Sequence, residues 1–372
     1  MTFVLIGIAV LMAAIALYFS LQKSTKAIPP RPAQAPRAPV EQGGVRVQRA
    51  ASPVATTPVP EALSRFRLVR HTELAPAQAA AIMARLRLIP RPPSALHKLV
   101  SPEFLADATS AELSELMMSE PLIAAKVLAV VNSPFYGLAK PLGSIGQAAT
   151  FLGMNTVRSI CLQYMLDDSL KTSSPEIKKL FNTLWNASAF ASELCFKLAQ
   201  LLGLQDPGAL VTQVVLSYLG QLATYSLLPP ETVLAIANQD LLDRAMAEQE
   251  HLGLSSAELG SLLLQEWALP QAIIDDVRGI DLILVTPLSA ANAQRGARLA
   301  LCYLCARLGG KLATGDITDL AAFDLAAQES PDFHHLRSYL DQPSIVRLVE
   351  FLRFPDVVSS INQMVGAMQV RR

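Results

Sequence analysis

The side chains in this chain that could hold a metal or move a proton are five histidines, four cysteines and the acid pairs Asp167-Asp168 and Asp275-Asp276. His71, His97, His251, His334 and His335 form no His-x-x-x-His pair, the spacing that would put two ligands on one helix face. Adjacent helical residues point about 100° apart, so His334 and His335 do not converge on one ion. All five read as surface or packing histidines. The acid pairs could serve general acid–base chemistry, but each is more simply a solvated helix end. Cys302 and Cys305 lie three apart in the apolar run 299–308, whereas Cys161 and Cys195 stand far away singly. A structural zinc needs four ligands, and four cysteines in 372 residues are too sparse for a disulfide framework. Buried free thiols in a reducing compartment are expected, and no cofactor or metal.

The elements that would position any site are helices. Residues 119–153, SEPLIAAKVLAVVNSPFYGLAKPLGSIGQAATFLG, carry the clearest pattern. Leu113, Leu116, Met117, Leu128 and Val131 suit one face of a 3.6-residue period. Thr109 and Glu112 have capping-box spacing at the entry. The helix stops at Asn132-Ser133-Pro134, because the residue before a proline is pushed out of the helical region. Gly137 can take a positive φ and close an aromatic turn. A second helix then starts at Ser144 and buries Ile145, Ala148, Ala149 and Leu152 before Gly153 ends it.

That pattern resembles the HDOD domain of bacterial signalling proteins. The matching elements are Glu120-Pro121, Asn132-Ser133-Pro134-Phe135-Tyr136-Gly137, Ser144-Ile145 with Ala148, and Leu152-Gly153. Ile89-Pro90 and Pro93 resemble the family's proline-marked entry, and Leu262-Leu263 with Trp267-Ala268-Leu269-Pro270 a later helix-to-loop junction. The likeness runs from about Leu86 to Asp281. It implies an all-α, HD-like helical bundle with a signalling or scaffolding role.

The family is similar to HD-type phosphohydrolases, whose His and Asp side chains hold cations that activate a water. By that resemblance, Ser217 and Tyr218 stand where a His-Asp pair is expected. Ser256 stands where a later His precedes an Ala-Glu-x-Gly run, and a His pair falls near Ile280 and Asp281. Only Asp281 retains a ligating group, and one carboxylate does not hold a catalytic cation. The domain therefore reads as non-catalytic, a binder of a protein partner, with a second copy of this chain among the partners allowed. The alternative is a divergent metal-dependent HD-type phosphohydrolase using other ligands. Candidate partner contacts are Asn132, Ser133, Phe135 and Tyr136 in the turn, with Arg158 as a surface charge able to meet an acidic ligand.

Composition bounds the rest. Apolar residues make up 51% of the chain and charged ones 17%. Part of that excess is residues 3–21, an uncharged run reaching roughly 28 Å as a helix, close to the thickness of a bilayer's hydrocarbon core. Lys23, Lys26, Arg31 and Arg37 follow it and no basic side chain precedes it. The positive-inside tendency then predicts a single-pass bacterial inner-membrane protein with its C-terminal domain in the cytoplasm. Residues 22–60 hold eight prolines and seven alanines with no apolar periodicity, a linker composition. Their six basic residues and one acid leave 25 basic and 30 acidic residues in 61–372, a net of −5 that argues against nucleic-acid binding.

The expected organisation is a transmembrane helix (1–22), a Pro/Ala-rich linker (23–65), an HDOD-like helical domain (66–287) and a helical C-terminal extension packed on it (288–372). Helices are predicted near 76–87, 110–132, 144–168, 176–203, 207–227, 231–250, 255–267, 270–280, 289–309, 316–328 and 343–368. No stretch alternates like a strand, and no Gly-rich phosphate loop precedes a helix.

Overall fold

The computed structural model describes residues 58–369, apart from 134, 135, 137, 139, 171 and 173 and the side chains of 367–369. Two short leading helices, α1 (Glu61–Arg65) and α2 (Pro76–Leu86), precede α3 (Ala95–Leu99), α4 (Pro102–Asp107), α5 (Ser110–Met118) and α6 (Pro121–Val131). Beyond a turn come α7 (Ile145–Leu152), α8 (Met154–Ser169) and two long neighbours, α9 (Pro175–Leu201) and α10 (Pro207–Leu227). The chain continues through α11 (Pro230–Ile236), α12 (Leu241–Leu252), α13 (Ser256–Glu266) and α14 (Gln271–Leu282). It ends in α15 (Ala293–Thr314), the single turns α16 (Leu336–Tyr339) and α17 (Leu348–Phe351), and α18 (Pro355–Gln369). No strand occurs among the described residues.

Proline sets many of these starts, because its missing N–H would be an orphan at the first helical position anyway and its φ is already helical. Pro76, Pro102, Pro121, Pro175, Pro207, Pro230 and Pro355 all open helices. Side-chain caps set others. Thr109 and Glu112 form the reciprocal box at α5, and Ser144 accepts from the Gln147 N–H at α7. Pro121 also divides what the apolar period presents as one helix over 110–132, since Glu120 before it leaves the helical region at φ −127°. Gly153, at φ 91°, likewise breaks 144–168 into α7 and α8. The expected helix at 316–328 is absent. There Asp319 and Asp324 accept from the N–H groups of Ala321 and Ala326, closing tight local turns in place of a helix.

α10 sits at the centre. It buries Val214, Val215, Leu216, Tyr218 and Leu219 in near succession, and a helix apolar all round belongs in a core. α9 packs on one side of it and α13 on another, while α15 lies mainly along α9. The α10–α13 crossing is a backbone contact: a Cβ on Gly220 would stand 2.0 Å from the Ser256 carbonyl oxygen, and one on Gly260 2.9 Å from Gly220 Cα. Residues from Pro58 onward form one compact unit.

Residues 3–21, expected to span a membrane, lie outside the described residues. Among the described residues no helix is long and apolar enough to cross a membrane. The expected single-pass inner-membrane placement is corrected accordingly: its apolar signal is confined to residues 3–21, and no described helix shares it.

Candidate functional site

Helices α10, α13 and α14 bring the matched ligand positions to one region, where each side chain is already engaged. Ser217 donates to the Val214 carbonyl in its own helix at 2.7 Å. The Tyr218 hydroxyl donates to the Ala306 carbonyl of α15 at 2.9 Å. Ser256 gives both its N–H, at 2.7 Å, and its hydroxyl to the Glu248 carboxylate. Ile280 is fully buried among apolar neighbours. Asp281, the surviving carboxylate, faces the Arg307 guanidinium at 3.7 Å. A divalent cation takes several anionic or imidazole donors. Three bonded hydroxyls, an aliphatic side chain and a carboxylate opposed by arginine do not fit one, so no step through a metal is derived. Among the described residues no group of three or more His, Cys, Asp or Glu side chains is placed to hold a metal.

An ionic network fills the region. Arg244 and Glu248, one turn apart on α12, approach to 3.5 Å, and Glu248 is completely buried. Asp332 lies far along the chain, yet its carboxylate accepts from the N–H groups of Leu241 at 2.7 Å and Leu242 at 3.0 Å, so it caps α12. Tyr303 of α15 donates to the Asp332 carbonyl at 2.7 Å. Burial lifts the Glu248 carboxyl above the usual range, with Arg244 pulling the other way. It does the same to Asp332 against Arg307. Burial is the largest influence on Arg307 and works against its charge, but Asp281, Tyr303, Asp332 and Tyr218 together outweigh it and hold the guanidinium above its usual pKa. A cleft of about 100 Å³ opens over this network, with Tyr218, Asp240, Arg244, Arg307, Lys311 and Asp332 in its walls.

The turn after α6 is held by Asn132. Asn132 donates through Nδ2 to the Leu142 carbonyl at 2.9 Å and accepts the Leu142 N–H at 2.7 Å. Its side chain clamps the two ends of the turn together, while its backbone N–H bonds the Leu128 carbonyl at the end of α6. Ser133 is half-buried beside it; Pro134, Phe135 and Gly137 lie outside the described residues. Tyr136 packs against the core, where burial pushes its hydroxyl up to about 12. It borders a cavity of about 250 Å³ with Gln163, Glu193 and Ser360.

Arg158 is not on the surface: only 2% of it is exposed. Its guanidinium donates to Asn155 Oδ1 at 2.6 Å and to the Leu105 carbonyl at 3.4 Å, and the absence of a side chain at Gly208 leaves room for it. Burial lowers its pKa to about 10. It joins α8, α4 and the start of α10. Cys195, read as solitary, meets Cys302 and Cys305 in the core between α9 and α15, and all four thiols are free and buried.

The model of the HDOD domain matches residues 89–281, just over half of the chain. This chain belongs to the HDOD family. Its fold is similar to the crystal structure of an HDOD domain protein of unknown function from Geobacter sulfurreducens, with a TM-score of 0.52, 17% identity and coverage of 77% of this chain and 98% of the other. It is similar as well to a Shewanella amazonensis SB2B protein provisionally named a phosphohydrolase, with a TM-score of 0.50, 20% identity, and 77% and 97% coverage. An uncharacterised protein of Treponema pallidum (strain Nichols) is 25% identical over 210 residues, which span 54% of this HDOD chain and 39% of that protein. The residues that sequence reasoning missed are Arg244, Glu248, Arg307 and Asp332. Three of them carried a signal: Arg244 and Glu248 are an i,i+4 ion pair, and Arg307 is a charge inside the apolar run 299–308.

Proposed function

We propose that this HDOD chain is a non-catalytic signalling or scaffold module that works by binding a protein partner. The observation that carries the reading is the pairing of Asp281 with Arg307 at 3.7 Å. A guanidinium neutralises the one surviving carboxylate, and it cannot polarise water as a divalent cation does. The turn clamped by Asn132 supports a docking role: it sets Tyr136 at the rim of a cavity walled by polar side chains of α8, α9 and α18. Aromatic side chains beside such recesses suit partner segments.

Metal analysis of the purified full chain, with hydrolysis assays on a cyclic dinucleotide and a generic phosphodiester, tests the first half. Substoichiometric metal and no turnover are expected. Stoichiometric iron, manganese or zinc with turnover would replace the proposal with a divergent phosphohydrolase. In-cell crosslinking with mass spectrometry tests the second half, with links from residues 132–142 to another polypeptide expected. Links confined to this chain's own core would end it.

A further inference from the structure

The cleft over the ionic network has an imbalance in its hydrogen bonds. Its acids are engaged. Asp332 holds two N–H groups of α12; Asp240 accepts from Ser330 at 2.8 Å and from Lys311 at 3.4 Å; Asp316 accepts from Thr314 at 2.9 Å. Its arginines are not. Arg244 is 8% exposed and Arg307 is largely buried, yet neither guanidinium donates a hydrogen bond to any described residue. Each faces a carboxylate, Glu248 at 3.5 Å and Asp281 at 3.7 Å, and Arg307 also lies over the Tyr303 ring, 5.3 Å from its centroid. The Nε of each is shut away from solvent, which leaves the terminal NH2 groups as the donors a ligand can meet. A guanidinium carries five N–H donors and no acceptor. Buried polar groups left in this state are costly, and native folds nearly always satisfy them. Lys311 adds a third cation at the mouth, and Tyr218 and Gln221 line the wall between. With the cleft's own carboxylates engaged elsewhere, the two guanidinium groups are left without a hydrogen-bond acceptor.

We propose that this cleft binds an oxyanion of phosphate size, gripped by Arg244 and Arg307 with Lys311 at the entrance. Arginine forks match tetrahedral oxyanions in bidentate fashion, and desolvated charge-assisted bonds of this kind are the strong ones. The space of about 100 Å³ admits the head group and little more, so any organic remainder must project past Asn238 and Gln239 at the rim. Asp281 Oδ1 is a buried oxygen without a donor, but it lies behind Arg307 and outside the cleft wall. Burial also favours the neutral forms of Glu248 and Asp332, which reduces the negative charge an incoming anion meets. The inference rests on the non-catalytic reading of this pocket, because the ligand is held there and not hydrolysed.

Isothermal titration calorimetry of the full chain with inorganic phosphate, and separately with ribose 5-phosphate, at matched ionic strength tests it. Saturable one-to-one binding is expected. Binding of inorganic phosphate alone assigns the free ion, and ribose 5-phosphate binding at least tenfold more tightly assigns the phosphate of an organic ester; both outcomes support the site. Arg244→Lys and Arg307→Lys keep the charges opposite Glu248 and Asp281 but lose the fork, so each should weaken binding by roughly tenfold or more, a step of about 1.4 kcal/mol. Lys311→Gln lies at the mouth and spares the fold, so it guards against a misfolded arginine variant; it should weaken binding by about threefold. No saturable heat with either probe, or equal affinity in wild type and all three variants, overturns the proposal. Turnover of ribose 5-phosphate would instead overturn the non-catalytic reading while leaving the site in place.

Discussion

Glu248 shows what a single residue does when a charge is enclosed. Its carboxylate receives two donors from Ser256 and faces Arg244, yet burial still lifts its pKa above the ordinary value near 4.5. The folded chain therefore holds this proton more tightly than the unfolded one. Below the ordinary glutamate range both states are protonated and the contribution is fully present; it is lost as pH rises through the higher folded value. Glu248→Gln keeps an acceptor for the Ser256 N–H and has no proton to lose. Denaturant titrations of both proteins from acid to neutral pH should show wild type losing stability relative to the variant as pH rises. A constant difference across that range would mean the carboxyl is not raised. The loss of charge at the positions matched to HD ligands, Ser217, Tyr218, Ser256 and Ile280, was legible in the sequence, because lost ligands can be read by position. Arg244 and Arg307 each carried a local signal, but nothing in their spacing announces that they line one cleft.

At the scale of elements, helix starts were the most readable feature, being set by side chains next to the break. The box at Thr109 and Glu112 and the cap at Ser144 act within four residues. Breaks inside an apolar period were harder to place, because Pro121 and Gly153 interrupt the backbone without interrupting the stripe. The crossing of α10 and α13 was not legible at all. Gly220 and Gly260 look like weak helix residues until the Ser256 carbonyl is found against Gly220. That contact predicts a large effect from one methyl group. Gly220→Ala gains helix propensity yet must force the helices apart, and it should destabilise the fold by about 3 kcal/mol. Gly310→Ala, where nothing lies within 4 Å of an added Cβ, is the control and should be neutral or stabilising. Equal melting temperatures for the two variants would show that the crossing can relax.

Across the whole molecule, all-α architecture and family likeness followed from local patterns, whereas the long-range joins did not. Arg158 reads as a surface charge near a helix start and is in fact a buried tie between α4, α8 and the start of α10. Cys195 reads as solitary and belongs to a three-thiol cluster. Both depend on which helices become neighbours, and a single chain's sequence does not encode that in any short window.

The cap that Asp332 supplies to α12 has a consequence for biosynthesis. Its two bonds close loops of 91 and 90 residues, while Asp240, the local residue at that end, turns to Ser330 and Lys311. During translation the helix bearing Arg244 and Glu248 emerges long before its stopper exists, so its first turn frays until residue 332 has cleared the ribosome. Arrested nascent chains should stay open to protease within 241–252 when they expose residues only up to about 320, and become protected once 332 is outside. Equal protection at both lengths would show that α12 locks without its distant partner.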